Sequence, residues 1–179
     1  MKDIQLLIAG FGGQGVLFAG KLLAYMGLIE EQQVSWLPSY GPEMRGGTAN
    51  CSVIISSAPV GSPIVSEPVQ LIAMNLPSLE KYQPLTVAGG CILYDSYLIR
   101  DVTLREDVKT IAIPATKLAA DAGLSGLANM VMMGKFLAEV RPESFGRIDE
   151  ALEHLVPARK AHLIESNRKA LEIGRTYGG

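Results

Sequence analysis

The stretch IQLLIAGFGGQGVLFAGKLLAYMG, residues 4–27, decides how the rest of the chain is read. IQLLIA, residues 4–9, is a short apolar run that predicts a buried strand ending at Gly10. GFGGQG follows, with Gly10, Gly12 and Gly15 in the G-x-G-x-x-G spacing. From Gly15 the period changes, and Val16, Ala19, Leu22 or Leu23 and Met26 recur at helical spacing up to a predicted stop at Gly27. Strand, glycine loop and helix in that order make a Rossmann-like start. Small residues in such a loop let the chain turn tightly and expose free amides at a helix N-terminus, where an anion is favoured.

A dinucleotide site also needs an Asp or Glu about 20 residues on, at the end of the second strand, to hold the ribose. Here Glu30 and Glu31 precede the second predicted strand, QQVSWLP at 32–38, which Pro38 stops. The loop is not a P-loop either, because no Lys-Ser or Lys-Thr follows and Lys21 is too far into the helix. Three roles stay open for it: a structural or interface turn, an anion or phosphate site, and NAD or FAD binding.

Outward from this unit, CSVIIS (51–56), VQLIAMN (69–75), GCILYDS (90–96) and KTIAIPA (109–115) read as further strands, mostly continuous apolar runs. PSLEKYQPL supplies a helical turn or two between Pro77 and Pro84, and Pro114 opens a helix through 117–123. In NMVMMGKFLAEV the face of Met130, Met133, Leu137 and Val140 reads as core rather than as a cofactor site. Phe145, Ile148, Leu152 and Leu155 space a fourth helix, and Pro157 opens a last one ending near Gly174. The predicted fold is a single α/β domain over 1–179, a mostly parallel sheet with helices on both faces and C-terminal helices from about 144. PVGSPIVSEP, 59–68, with three prolines, reads as an ordered flap beside the sheet.

Sixteen Lys and Arg against eighteen Asp and Glu leave a formal charge of −2 and no concentrated basic surface, which argues against nucleic acid. No apolar run approaches the roughly 20 residues of a membrane span, and the opening MKDIQLLIAGFGG has too brief an apolar stretch for a secretion signal. A soluble cytoplasmic protein without a membrane partner is expected. Cys51 and Cys91, in predicted buried strands, are too few to ligate an iron–sulfur cluster or a four-cysteine zinc. His154 and His162 flank Pro157 and match no metal spacing. Asp95 ends a predicted strand without an evident His or Ser partner. No catalytic set and no metal site emerge.

SYGPEMRGGTAN, residues 39–50, mounts Glu43 and Arg45 among Gly41, Pro42, Gly46 and Gly47. The bland reading is a solvated loop. Arg, however, is the side chain suited to a bidentate hold on a carboxylate or phosphate, and the glycines let another chain or a cofactor come close, so the segment reads as a docking loop.

Taken together, GFGGQGVLFAGKLL, SYGPEMRGGTANCSVIIS, IAMNLPSLEKY, GGCILYDS and NMVMMGKFLA resemble the gamma subunit of 2-oxoacid:ferredoxin oxidoreductases over roughly residues 4–140. The resemblance implies a subunit of an enzyme that converts a 2-oxoacid, coenzyme A and oxidised ferredoxin to acyl-CoA, carbon dioxide and reduced ferredoxin. It implies alpha and beta subunits as partners, a ferredoxin-like delta subunit in some assemblies, and ferredoxin as electron acceptor. Thiamine diphosphate, magnesium and iron–sulfur clusters then belong to the complex and no cofactor to this chain, which alone is inactive and, when isolated, could pair with itself. The positions it marks, for coenzyme A or a subunit interface, are Gly10, Gly12, Gly13, Gln14 and Gly15, then Tyr40, Gly41, Pro42, Glu43, Arg45, Gly46 and Gly47, and Asn129. SWLPSYGPEMRGGTANC looks closer to 2-oxoglutarate and branched-chain members than to pyruvate members, and 2-oxoglutarate is the expected acid. The beta subunit of indolepyruvate ferredoxin oxidoreductase and a free-standing anion- or nucleotide-binding module stay open as alternatives.

Overall fold

The structure is a computed structural model, and it describes residues 3–39 and 48–178, Thr48 by its backbone alone. β1 (Ile4–Phe11) is buried along most of its length and sits inside a six-stranded sheet of order β2-β3-β1-β4-β5-β6. β4 (Gln70–Ala73), β5 (Cys91–Asp95) and β6 (Lys109–Ile113) follow β1 in parallel. On the other side β3 (Thr48–Ser56) pairs antiparallel with both β1 and the edge strand β2 (Gln33–Ser39). β3 alone therefore runs against the others, and the sheet is mostly parallel, as the sequence predicts.

The two faces of the sheet differ. Successive residues of a strand point to opposite faces, so Ile4, Leu6 and Ile8 enter one cluster while Leu7 and Ala9 enter another. The first face is thick. It packs on α1 (Val16–Ile29), α3 (Ala115–Asp121), α4 (Ala128–Val140), α5 (Ile148–Leu155) and α6 (His162–Thr176), through residues such as Leu22, Met133, Phe136, Leu152 and Leu171. The second face is thin. Beneath β1, β4 and β5 it holds α2 (Leu76–Tyr82), with Leu79 and Tyr82, and part of the β5–β6 connection, with Ile99 and Val108.

The methionine stripe of α4 is core, as expected, but every residue from Asn129 to Leu137 is buried because α6 covers the side turned away from the sheet. That contact depends on two glycines. A Cβ on Gly134 would fall 1.9 Å from the Leu171 carbonyl oxygen, and one on Gly174 equally close to that of Val131, so the backbones approach as no other residue permits. A buried ion pair, Arg141 with Glu30, joins the ends of α4 and α1.

Several predicted boundaries move. Gly10 does not end β1, because pairing with β3 continues through Gly10 opposite Ala49 and Phe11 opposite Thr48. Gly27 does not stop α1, which runs to Ile29; it is a packing glycine whose Cβ would come 3.0 Å from the Ile55 and Val34 side chains. Pro38 lies within β2, where an edge strand tolerates its missing N–H. The chain from Pro142 to Arg147 winds as a 3-10 turn before α5, another turn spans Ala158–Lys160 before α6, and α6 passes Gly174. The 59–68 segment does lie beside the sheet: Val65 is buried, and its N–H donates to Ser52 Oγ at 3.2 Å. Among the described residues no helix is long and apolar enough to cross a membrane.

Candidate functional site

After β1 the chain turns to the thick face through α1, and after β4 it turns to the thin face through α2. The crevice between the carboxyl ends of these two parallel neighbours is a topological switch point, where open α/β sheets bind ligands. The glycine loop stands there. Gly13 (φ 95°) and Gly15 (φ 74°) take left-handed conformations that suit glycine, and Gly15 leads into α1.

Gln14 fills the crevice. Its Oε1 accepts from the Phe11 N–H at 2.6 Å and from Asn75 Nδ2 at 3.4 Å, while its Nε2 donates to the Met74 carbonyl at 3.1 Å. The carboxamide thereby stitches the end of β1 to the β4–α2 junction. Gly10 lies beneath it, and a Cβ there would meet Gln14 Oε1 at 2.7 Å. Asn75 is shared: its Oδ1 caps α2 by accepting from the Ser78 N–H at 2.8 Å. Gly12 and Gly13 are exposed at the rim.

Asn129 comes to the same loop from α4. Its Nδ2 donates to the Gly15 carbonyl at 3.1 Å, and a Cβ on Gly15 would meet that nitrogen at 2.3 Å. Asn129 is 5% exposed and its Oδ1 has no hydrogen-bond partner among the described residues. The structure thus brings together Gly10, Gly12, Gly13, Gln14, Gly15 and Asn129, residues more than a hundred positions apart in sequence. Beside them is a cavity of about 230 Å³ lined by Gly13, Gln14, Met74, Leu98, Thr116 and Ala128 among others, with no charged side chain among the described residues that line it. Tyr40, Gly41, Pro42, Glu43, Arg45, Gly46 and Gly47 lie outside the described residues. Their flanks are placed: Ser39 pairs with Asn50, and Thr48 with Phe11, at the same edge as the glycine loop.

The dinucleotide reading meets a topological obstacle. β3 stands between β1 and β2, so the end of β2 is two strand spacings, roughly 10 Å, from the glycine loop rather than one. A ribose carboxylate on β2 would be a strand too far. Asp95 is equally occupied: it is fully buried, with Oδ1 accepting from the Tyr97 N–H at 3.0 Å and Oδ2 from the Thr116 N–H at 3.0 Å and hydroxyl at 2.6 Å. It ties β5 to the start of α3.

Sequence reasoning missed Asn75 and Thr116 as partners of these groups. The Asn75-Leu76-Pro77-Ser78 order is a helix-start signal that could have found the first. His154 stacks on Tyr25 with ring centroids 4.2 Å apart, and His162 is exposed. Among the described residues no three of His, Cys, Asp and Glu gather to hold a metal. Burial pushes the Cys51 thiol up to about 12, against the smaller opposing effect of the Trp36 indole. Cys91 is also raised by burial, and three strand positions separate β3 from β5, so these thiols suit neither a cluster nor nucleophilic work.

Residues 5–177 match the family model described as pyruvate ferredoxin/flavodoxin oxidoreductase. The chain is 39% identical over 180 residues to ketoisovalerate oxidoreductase subunit VorA of Methanothermobacter marburgensis, a match that takes in 98% of this chain but 37% of that protein. It is 35% identical over 185 residues to 2-oxoglutarate synthase subunit KorC of the same organism, across 97% of this chain and 95% of that one. The crystal structure of a keto/oxoacid ferredoxin oxidoreductase gamma subunit from Geobacter sulfurreducens superposes with a TM-score of 0.80 at 28% identity over 96% of each chain.

Proposed function

This chain belongs to the pyruvate ferredoxin/flavodoxin oxidoreductase family, on its gamma-subunit side, and from that premise we propose that it works as the non-catalytic gamma subunit of a cytoplasmic 2-oxoacid:ferredoxin oxidoreductase. The assembled enzyme oxidatively decarboxylates its 2-oxoacid, transfers the acyl group to the coenzyme A thiol and passes the electron pair to ferredoxin. Thiamine diphosphate with its magnesium and the iron–sulfur clusters reside on partner alpha and beta subunits, or on a ferredoxin-like delta subunit. The described residues do not fit these groups, since they gather no metal-ligand set and both cysteines are stabilised as thiols. The single observation that carries the reading is the near full-length match to gamma-type chains in a domain whose switch-point crevice is closed by its own Gln14.

Within this reading, Gln14, Asn129 and the glycines shape a rigid edge that meets the catalytic subunits. Arg45, oriented by Glu43, holds a partner carboxylate or a coenzyme A phosphate. We assign 2-oxoglutarate as the acid, supported by the KorC match, with ketoisovalerate as the competitor that VorA represents.

The test is reconstitution with the other subunits. The isolated chain should show no substrate-dependent viologen reduction, and the complex should turn over 2-oxoglutarate with a higher kcat/KM than 2-oxoisovalerate. Arg45→Ala should raise the KM for coenzyme A or loosen assembly, and Arg45→Lys should rescue little, because an ammonium lacks the planar fork. Activity of the chain alone would overturn the proposal, and a reversed substrate ranking would overturn the assignment of the acid.

A further inference from the structure

α2 is bonded at one end to the glycine loop and at the other to β3. At its N-terminal end Asn75 faces two ways: its Nδ2 donates to Gln14 Oε1 at 3.4 Å, and its Oδ1 accepts from the Ser78 N–H at 2.8 Å. At its C-terminal end the Tyr82 hydroxyl accepts from Asn50 Nδ2 at 3.0 Å. Asn50 stands opposite Ser39 of β2 and opposite Ala9 of β1, so it belongs to the end of the ladder that borders residues 40–47.

α2 is seven residues long, too short to be stable by itself, and it is held on the sheet by Leu79 and the Tyr82 ring packed in the cluster of Leu7, Ala9 and Leu71. An element of that size, docked through few side chains, opens and closes as one piece. The hydrogen bonds at its two ends then stabilise one and the same closed state. The Tyr82 hydroxyl has a separate part in this. A phenylalanine would fill the same space in the cluster, so what the oxygen adds is the link to Asn50.

We propose that α2 is a strut and that Asn75 and Tyr82 are positioning residues: closed, α2 holds the glycine loop and the end of β3 in one fixed relation, and its opening releases both together. It rests on the functional reading above, in which the glycine loop and the 40–47 segment work at one edge. The β1–β3 ladder aligns their flanks within the plane of the sheet. The side chains of α2 align them from the thin face, by way of Gln14 and Asn50.

Hydrogen exchange of the isolated chain, followed by NMR, tests the coupling. Tyr82→Phe speeds exchange at the distant Phe11 and Ser78 amides about fivefold, the effect of one net hydrogen bond on the shared opening. Gln14→Ala is read at the opposite end, where the Asn50 side-chain amide protons exchange faster. Thr86→Val is the control: it removes the bond from Thr86 Oγ1 to the Tyr82 carbonyl at 3.3 Å, which reaches neither Gln14 nor Asn50, and it leaves Phe11 unchanged. A Tyr82→Phe effect confined to Asn50, or an equal effect of Thr86→Val at Phe11, overturns the proposal. In the reconstituted enzyme Tyr82→Phe raises the KM for coenzyme A about threefold or more with kcat kept, and adds nothing once Gln14 is alanine. Additive losses in that pair overturn the positioning role. Wild-type KM and assembly in Gln14→Ala itself overturn the functional reading of the glycine loop, and the exchange measurements then decide the coupling by themselves.

Discussion

The thick and thin faces of one sheet are built from the same strands, yet they differ in how completely they are closed. On the thick face α4 is buried all round, and the α4–α6 contact is so close that Gly134 and Gly174 admit no Cβ. On the thin face Leu37, Ile64 and Leu85 stand partly in water around a groove between the 59–68 flap and Tyr82. Among the described residues the domain is closed more completely on the first side than on the second, so its stability is placed mainly in the first. The crevice between them is closed in a third way, by hydrogen bonds from Gln14 rather than by packing.

The largest expected effect is on the thick side. Phe136→Ala, at a residue 2% exposed, should destabilise the chain by about 3–5 kcal/mol through lost transfer energy and the cavity left behind, measured by urea unfolding. Gly134→Ala comes next. Alanine is the better helix former by about 1 kcal/mol, but its Cβ would sit 1.9 Å from the Leu171 oxygen, and overpacking of this kind costs about 1–3 kcal/mol or more. A stabilised variant would show that the two helices slide apart freely.

Gln14→Ala tests the crevice. It removes acceptors and a donor from the Phe11 N–H, Asn75 and the Met74 carbonyl, and should cost about 1–2 kcal/mol, with faster hydrogen exchange at Phe11. If the crevice were instead a ligand site that Gln14 merely occupies, this variant would gain binding of a nucleotide diphosphate, measurable by calorimetry.

A smaller, pH-dependent effect is expected where Lys109 and Lys135 both meet Glu139, at 2.7 and 2.9 Å. The Lys109 hydrogen bond first, then that of Lys135, holds the Glu139 carboxyl below its usual range. Its contribution is therefore fully present above the unfolded-state value of about 4.3 and lost as the pH falls through the lower folded value. Glu139→Gln should thus be less stable than wild type at pH 7, and the difference should close in acid, measured by thermal midpoints from pH 3 to 7. The smallest effect belongs to the thin face: Leu85→Ala should shift the stability of the isolated chain by no more than about 0.5 kcal/mol, because that side chain is already half in water. A loss comparable to Phe136→Ala would erase the distinction between the faces.

What the sequence alone determined was set by local chemistry. Period and punctuation announced β1, the glycine loop and α1, because a strand, a tight turn and an amphipathic helix each impose their own spacing on neighbouring residues. The motifs were specific enough to identify the family before any contact was known, and the methionines of α4 were correctly read as core. Glycine was the point of failure: Gly10, Gly27 and Gly174 look like stops in the sequence and prove to be a strand residue and packing contacts, since a missing Cβ signals a turn and a close approach in the same way.

Only the tertiary structure decided the rest. No local pattern says that β3 enters antiparallel between β1 and β2, because strand order follows from which apolar faces meet across the whole chain; that insertion is what moves the end of β2 away from the glycine loop. Nor could spacing reveal that Asn129 would reach Gly15, or that the side chain at Gln14 would turn back to fill its own loop, for both depend on bonds to backbone atoms that folding brings within reach. The unequal closure of the two faces is likewise a sum over the whole chain, invisible in any one helix or strand.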